Sequence, residues 1–189
     1  STAETNGSDE GNYNAGELTL DKSSLTYSAE FANTGTLNIG ESSTFSAPSV
    51  VNNGTINFTA LSAKLDTDTE GLTIVDQVNN PDYKVVYKEG AYQFVEKVYV
   101  AQVDNGDKFE TLIEAVAAVE DGGTITLIAN ETFTENNRYN NGGWWDGLGY
   151  SGDKSFTIDL ADFTISQDGA LNDYLMWFKN DGAKDNTIT

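Results

Sequence analysis

Cysteine and histidine are both absent from this chain of 189 residues. Their absence excludes a disulfide, a cysteine nucleophile, a Ser-His-Asp triad and a zinc site with His or Cys ligands. A catalytic group would have to come from Asp, Glu, Tyr, Lys or the single arginine, Arg138. The lack of cysteine leaves the compartment open, because disulfides are permitted but not required outside the cell.

Positive charge is scarce as well. The chain has 10 Lys and Arg residues against 30 Asp and Glu residues, which gives a net charge of −20 at pH 7. A nucleic-acid-binding protein needs a cationic face, and so does a protein held electrostatically on anionic lipid. We therefore predict neither nucleic acid nor an anionic membrane surface as a partner.

Long apolar runs are also missing. None approaches the about 18 residues of a membrane-spanning helix, so membrane insertion is not predicted. Residues 1–11 lack the apolar core of a signal peptide, and we interpret them as a flexible N-terminal tail. The chain is rich in Gly, Thr, Asn and Ser, which favours an extracellular β protein. The length suits one domain or two small ones.

An Asn-x-Gly motif recurs every 19 residues in the first half of the chain. It occurs at Asn14, Asn33 and Asn52, and its glycines are Gly16, Gly35 and Gly54. Such a motif predicts a corner, because glycine takes positive φ freely and asparagine tolerates it. Each corner precedes two apolar residues that alternate with polar ones, which indicates a short strand with one buried face.

One corner and several short strands every about 20 residues are typical of a β-solenoid. Neighbouring coils would lie about 4.8 Å apart, with equivalent asparagines in a ladder. An antiparallel meander with regular turns is the alternative. Further along, the two apolar runs on either side of Glu89-Gly90 predict a hairpin that closes the solenoid. We thus assign residues 12–97 to solenoid coils of period 19 with a closing hairpin.

Residues 98–189 begin a second pattern. A strand and a glycine-containing turn precede a predicted helix over residues 109–119, where Thr111 and Glu114 fit a capping box. Strand patterns resume near Ile125 and Ile158. A Trp-rich loop is predicted at residues 136–153. We assign 98–189 to the helix-capped start of a second β-helix.

These elements together resemble a known family. The motifs are Thr111-Leu112-Ile113-Glu114-Ala115-Val116-Ala117-Ala118, Asp121-Gly122-Gly123-Thr124-Ile125-Thr126-Leu127 and Phe156-Thr157-Ile158-Asp159-Leu160. Their order is similar to the start of the pectin-lyase-like right-handed parallel β-helix modules of large bacterial cell-surface and adhesin proteins. Residues 71–97 resemble the closing segment of a preceding module. The resemblance covers about residues 70–165 and implies a mostly β fold with a capping helix, at the bacterial cell surface.

Asp66-Thr67-Asp68-Thr69-Glu70-Gly71 matches the first half of a calcium-binding loop. Oxygen ligands would come from Asp66, Asp68 and Glu70, and Gly71 would allow the sharp turn. The twelfth position is Gln77, which cannot supply a bidentate carboxylate. A solvated acidic turn is the alternative. Calcium is the candidate cofactor, although none is required.

The Trp-rich loop is the candidate contact site. Tyr139, Trp144, Trp145 and Tyr150 could stack on sugar rings or form a protein contact, or the tryptophans could instead pack on the protein's own side. Polysaccharide lyase or glycosidase chemistry is a minor alternative, because no pair of carboxylates in the sequence is placed to converge on a cleft.

The chain ends in Thr187-Ile188-Thr189, which could be donated as a strand to a neighbouring molecule. Open solenoid ends present unpaired backbone groups, and head-to-tail pairing removes them. We therefore predict a non-enzymatic, extracellular structural or adhesive protein. It would be a surface-protein segment or a subunit that self-assembles end to end, with copies of itself or other cell-surface components as partners. A carbohydrate-binding module is the alternative.

Overall fold

A computed structural model describes residues 12–135, 137–141, 144–168, 174–180, 187 and 189, without the side chains of 140, 141, 144–146 and 180. The predicted N-terminal tail, residues 1–11, lies outside the described residues. The chain divides into two compact units, Ser1–Lys97 and Val98–Thr189. The fold is mostly β, as predicted, and its strands form several short, separate sheets.

Unit 1 contains three successive sets of three short strands, which we call repeats. Repeat 1 consists of β1 (Asn12–Asn14), β2 (Glu17–Leu20) and β3 (Ser24–Thr26). Repeat 2 consists of β4 (Phe31–Asn33), β5 (Thr36–Ile39) and β6 (Thr44–Ser46). Repeat 3 consists of β7 (Val50–Asn52), β8 (Thr55–Phe58) and β9 (Lys64–Asp66). Three further strands are β10 (Ile74–Asp76), β11 (Tyr83–Lys88) and β12 (Ala91–Glu96).

Each strand of a repeat pairs in parallel with its equivalent in the next repeat. Asn14 lies opposite Asn33, and Asn33 lies opposite Asn52, so the 19-residue period of the sequence is the spacing of paired residues in β1, β4 and β7 and in β2, β5 and β8. In β3, β6 and β9 the paired residues are 20 apart, as in Ser24 and Thr44. The three sheets have the orders β1-β4-β7, β10-β8-β5-β2 and β11-β12-β9-β6-β3. The antiparallel meander is therefore not observed in the repeats.

The core of unit 1 forms from the side chains that alternate inward along these strands. In β5 and β8, Leu37, Ile39, Ile56 and Phe58 are fully buried. Aromatic residues fill the interior of repeat 2, where the ring centroids of Phe31 and Phe45 lie 4.6 Å apart. The period-2 pattern thus places one face of each strand in a common interior.

A hairpin follows the repeats, as the sequence predicts. β11 and β12 pair antiparallel around Glu89 and Gly90, which both have positive φ (53° and 78°). Two consecutive left-handed residues are typical of a tight type I′ hairpin turn. β12 also pairs antiparallel with β9, so the hairpin covers the edge of one sheet.

Among the described residues of unit 2, strands precede and follow one short helix along the chain. The strands are β13 (Ala101–Val103), β14 (Lys108–Phe109), β15 (Thr124–Leu127), β16 (Glu131–Phe133), β17 (Tyr139–Asn141), β18 (Trp144–Asp146), β19 (Leu148–Gly152), β20 (Thr157–Asp159), β21 (Ile165–Gln167) and β22 (Met176–Asn180). Three pairs are parallel, namely β15–β20, β16–β21 and β19–β22. Residues 136–153, predicted as a loop, therefore include the antiparallel pair β17–β18 and the paired strand β19.

Helix α1 (Leu112–Ala118) is shorter than the predicted helix over 109–119. The predicted capping box is present: the Glu114 N–H donates to Thr111 Oγ1, and the Thr111 N–H donates to the Glu114 carboxylate, both at 3.2 Å. Thr111 is the N-cap, and its extended backbone prevents the helix from beginning earlier. Phe109 instead lies in β14, opposite Ala101. No helix among the described residues is long and apolar enough to cross a membrane.

Candidate functional sites

The candidate calcium loop, residues 66–71, begins at the last residue of β9. Asp66 Oδ1 lies 2.7 Å from Lys64 Nζ in an ion pair, while Asp68 and Glu70 are exposed. Across the part of the chain that the structure describes, no three acidic side chains are grouped to hold a metal ion. The structure does not bring Asp66, Asp68 and Glu70 together as ligands, and calcium binding stays a prediction.

Two tyrosines of the hairpin hold the same segment in place. The Tyr87 hydroxyl donates to the Thr67 carbonyl (3.1 Å), and the Tyr92 hydroxyl lies 3.2 Å from the Thr69 carbonyl and accepts from the Leu72 N–H (2.7 Å). Partial burial and the negative charges of Glu70 and Asp68 raise the pKa of Tyr87. Tyr87 and Tyr92 lie directly opposite each other in the hairpin, so both side chains are on one face.

Thr69 links this segment to repeat 3. Its hydroxyl accepts a hydrogen bond from the backbone N–H of Val50 at 2.9 Å. Val50 begins β7, the last strand of its sheet. The segment therefore satisfies part of an open strand edge through a side chain, so its position in the fold is that of a cap.

The side chains of Tyr139 and Tyr150 pack within unit 2. The Tyr139 ring stacks on Trp177, with ring centroids 6.4 Å apart, and it also lies where a side chain on Gly149 would be. The Tyr150 hydroxyl accepts from the Lys154 N–H (2.8 Å), and its ring meets Phe156 edge-on. Sequence reasoning had not assigned Trp177 to this cluster.

Trp144 and Trp145 lie in β18, opposite Asn141 and Asn140 of β17. Their side chains lie outside the described part of the structure. A glycan or protein contact through these two residues consequently stays a prediction. The structure brings Tyr139 against Trp177 and Tyr150 against Phe156.

Two residues of the candidate assembly strand, Thr187 and Thr189, form backbone hydrogen bonds at β20 of their own chain. The Phe156 N–H donates to the Thr187 carbonyl (3.0 Å), and the Ile158 N–H donates to the Thr189 carbonyl (2.8 Å). Ile188 lies outside the described residues. Because these carbonyls already accept bonds within the chain, the structure places Thr187 and Thr189 as a continuation of the β15–β20 sheet. Donation to a neighbour stays a prediction.

The Asn-x-Gly corners form an amide ladder between repeats. Asn14 Nδ2 donates to Asn33 Oδ1 at 2.9 Å, and Asn33 Nδ2 donates to Asn52 Oδ1 at 2.7 Å. Asn33 is fully buried, and its amide also contacts the Thr55 carbonyl (3.1 Å). A buried amide with several partners fixes the register of the strands that supply them.

The glycines of these corners allow close backbone approach. A Cβ added to Gly35 would overlap the carbonyl oxygen of Gly16, and one added to Gly54 would overlap that of Gly35. None of the three glycines has φ in the left-handed region. The expectation of positive φ is therefore wrong at these three positions. At Gly35 and Gly54, glycine is required because a neighbouring carbonyl occupies the space of a side chain.

Glu131 is a buried carboxylate that sequence reasoning missed. It is 3% exposed, and it accepts from the Leu112 N–H (2.8 Å) and from Asn137 Nδ2 (3.0 Å). Burial raises its pKa, the hydrogen bonds from Leu112 and Thr132 lower it, and Glu114 raises it; the result is a raised pKa. Both carboxylate oxygens bind parts of unit 2, which is a structural role.

Comparison with family models, curated proteins and solved structures finds no match for this chain.

Proposed function

We propose that both units are built from turns of a right-handed parallel β-helix. In unit 1, three strands recur in order, and each pairs in parallel with its equivalent one repeat away. A chain that passes through three sheets in turn and returns one strand further along follows a helical path. Connections between parallel strands of one sheet are right-handed in nearly all proteins, which supports that hand. In unit 2, the pairs β15–β20, β16–β21 and β19–β22 support the same arrangement.

The proposed function is structural or adhesive and non-enzymatic, in an extracellular protein of a bacterial cell surface. The chain would act as a segment of a surface protein or as a subunit joined end to end. One observation carries this proposal: asparagine side chains that recur in the repeats form hydrogen bonds with asparagines of the adjacent repeat. Asn14, Asn33 and Asn52 do so at the corners, and Asn57 Nδ2 donates to Asn38 Oδ1 (2.7 Å) on another face.

Carbohydrate binding and polysaccharide cleavage remain predictions of lower rank. Tyr139, Tyr150 and Glu131 use their rings and polar atoms in contacts within unit 2. A titration with soluble plant, mucin and bacterial glycans, followed by tryptophan fluorescence, would detect a binding site because all three tryptophans lie in unit 2. A saturable change would favour the binding function over the structural one.

Deletion of one whole repeat tests the structural proposal. A β-helix that serves as a length of scaffold tolerates the loss of residues 31–49, because Asn52 and Gly54 then meet Asn14 and Gly16 in the same register. The matched control removes residues 31–40, which breaks the register. We expect native far-UV circular dichroism and cooperative urea unfolding for the first variant only. Loss of folding in both variants would contradict the proposal.

A further inference from the structure

Repeat 1 leaves partly exposed the apolar side chains whose equivalents in repeat 2 are buried. Leu18 lies opposite Leu37, and Leu25 lies opposite Phe45. Leu37 and Phe45 are fully buried, whereas Leu18 and Leu25 are only partly buried. Among the described residues, β1, β2 and β3 each pair with one strand only. The outer face of repeat 1, which we call the head face, therefore leaves partly exposed the apolar side chains that a preceding repeat would bury.

The corner of the head face has space for another backbone. No atom of the described residues lies within 4 Å of a Cβ added to Gly16, although a Cβ added to Gly35 or Gly54 meets a carbonyl of the previous repeat. Asn33 and Asn52 each accept a hydrogen bond from the side-chain amide of an asparagine of the previous repeat. Asn14 has no such asparagine among the described residues, and its Oδ1 accepts from the Gly16 N–H (3.2 Å). The corner thus fits one more turn.

The last strands of unit 2 form a second apolar face, which we call the tail face. A cavity of about 380 Å³ opens there, and its lining includes Ile158, Leu160, Ile165, Met176 and Phe178. Burial again differs between partners, because Leu148 is fully buried and Met176 opposite it is 43% exposed. The tail face exposes the side of the strands that a following turn would cover.

Other elements occupy the far side of the repeats in unit 1 and the start of unit 2. In unit 1 the hairpin β11–β12 pairs with β9, and Thr69 bonds to Val50. In unit 2 the buried residues of α1 join the core beside β13 and β15. The head face and the tail face are complementary in chain direction. The head face can pair with a preceding turn, and the tail face can pair with a following turn.

We propose that the tail face of one copy docks on the head face of a second copy and continues the parallel sheets from chain to chain. The inference rests on the proposed function and specifies its partner and its two surfaces. Such a contact joins two different patches, so it does not close on itself as a two-fold dimer does and yields linear assemblies. With a net charge of −20 per chain, copies repel one another at low ionic strength, and salt strengthens the association.

Blocking each face separately tests this proposal. Gly16→Arg obstructs the head face, and its Cβ meets no described residue of its own chain within 4 Å. The double variant Leu160→Lys/Met176→Lys places charge on the exposed tail face. Gly16→Leu is a second head variant that adds no charge. Val98→Lys is the matched control, because Val98 is an exposed apolar residue on neither face. Far-UV circular dichroism verifies folding of each variant.

Light scattering at high salt gives the outcome. We expect the wild type and Val98→Lys to form a series of multiples of 20.4 kDa. Each blocked variant alone should remain monomeric, and an equimolar mixture of head-blocked and tail-blocked chains should double in mass and stop there. A monomeric wild type, or a mixture that stays monomeric, would overturn the proposal while leaving the repeat-deletion result intact. Assembly of either blocked variant alone would also overturn it.

Discussion

Gly35 and Gly54 occupy positions at which successive repeats come closest. The Gly16 carbonyl accepts a hydrogen bond from the Thr36 N–H (2.8 Å), and the Gly35 carbonyl accepts one from the Thr55 N–H (2.9 Å). These hydrogen bonds hold each carbonyl close to the equivalent glycine of the next repeat. A side chain at either glycine would therefore have to move backbone atoms of the neighbouring repeat, which protein interiors resist because they are closely packed.

Gly35→Ala is consequently expected to lower the free energy of unfolding of unit 1 by about 3 kcal/mol, at the upper end of the usual cost of overpacking. Gly16→Ala is the matched control, because its Cβ lies within 4 Å of no described atom, and its effect should stay within about 1 kcal/mol. Urea unfolding followed by far-UV circular dichroism measures both. Equal effects of the two substitutions would contradict the close approach at Gly35.

Glu131 predicts a pH dependence of unit 2. Its pKa is raised in the folded state, so its contribution to stability is complete below the unfolded pKa and is lost as the pH rises through the folded pKa. Glu131→Gln removes this titration. The stability difference between the wild type and the variant should therefore favour the wild type more at about pH 4 than at about pH 7.

Urea unfolding followed by tryptophan fluorescence reports on unit 2 and measures this difference. Glu120→Gln, at an exposed position after α1, is the control for a general change in charge. The same pH dependence in the wild type and in Glu131→Gln would show that the buried carboxyl does not titrate as described.

At the scale of elements, a second amide ladder crosses β2, β5 and β8. Asn57 Nδ2 donates to Asn38 Oδ1 (2.7 Å), and Asn38 Nδ2 donates to Thr19 Oγ1 (3.1 Å). The next strand, β10, places Val75 opposite Asn57. The ladder ends there, and the buried Oδ1 of Asn57 has no hydrogen-bond partner among the described residues.

Val75→Thr is expected to extend this ladder. A threonine hydroxyl at position 75 can donate to Asn57 Oδ1 while the β-branched side chain keeps the strand propensity, so we expect a gain of about 1 kcal/mol. Val51→Thr is the control, because Val51 is a similarly exposed valine opposite Ala32. Urea unfolding followed by circular dichroism compares them. A gain no larger than that of Val51→Thr would argue against an unsatisfied amide at Asn57.

Sequence periodicity predicted these elements where local pattern and tertiary pairing agree. The 19-residue recurrence of Asn14, Asn33 and Asn52 placed the paired strands, and Thr111 with Glu114 identified the helix start signal. The extent of α1 was wrong because Phe109 fits an apolar helix face equally well but pairs with Ala101. The strand β19 was missed because its partner, β22, lies far along the chain and the intervening glycines resemble a loop.

Side-chain roles were harder to predict than elements. The acidic residues at 66, 68 and 70 have the spacing of a cation loop, but spacing alone does not determine where carboxylates point. Their neighbours Thr67 and Thr69 are held by Tyr87 and Tyr92, which lie about 20 residues further along. Glu131 gave no signal, since a single glutamate in a polar sequence is ordinarily exposed.

At the scale of the whole molecule, successive repeats of unit 1 lie in parallel register, with paired residues 19 apart in two of the sheets and 20 apart in the third. The absence of cysteine makes this register directly accessible to engineered disulfides. Glu17 and Thr36 are register partners on adjacent strands, about 4.8 Å apart, which suits a disulfide. Glu17 and Thr55 are two strands apart, which exceeds the about 7 Å limit for a disulfide.

The most direct measurement is therefore the rate of disulfide formation in two double variants, each followed by non-reducing electrophoresis and circular dichroism. Glu17→Cys/Thr36→Cys should close rapidly under mild oxidation and keep the native spectrum. Glu17→Cys/Thr55→Cys should stay reduced under the same conditions. Failure of the first pair to close, or equal closure of both pairs, would contradict the parallel register on which the proposed β-helix depends.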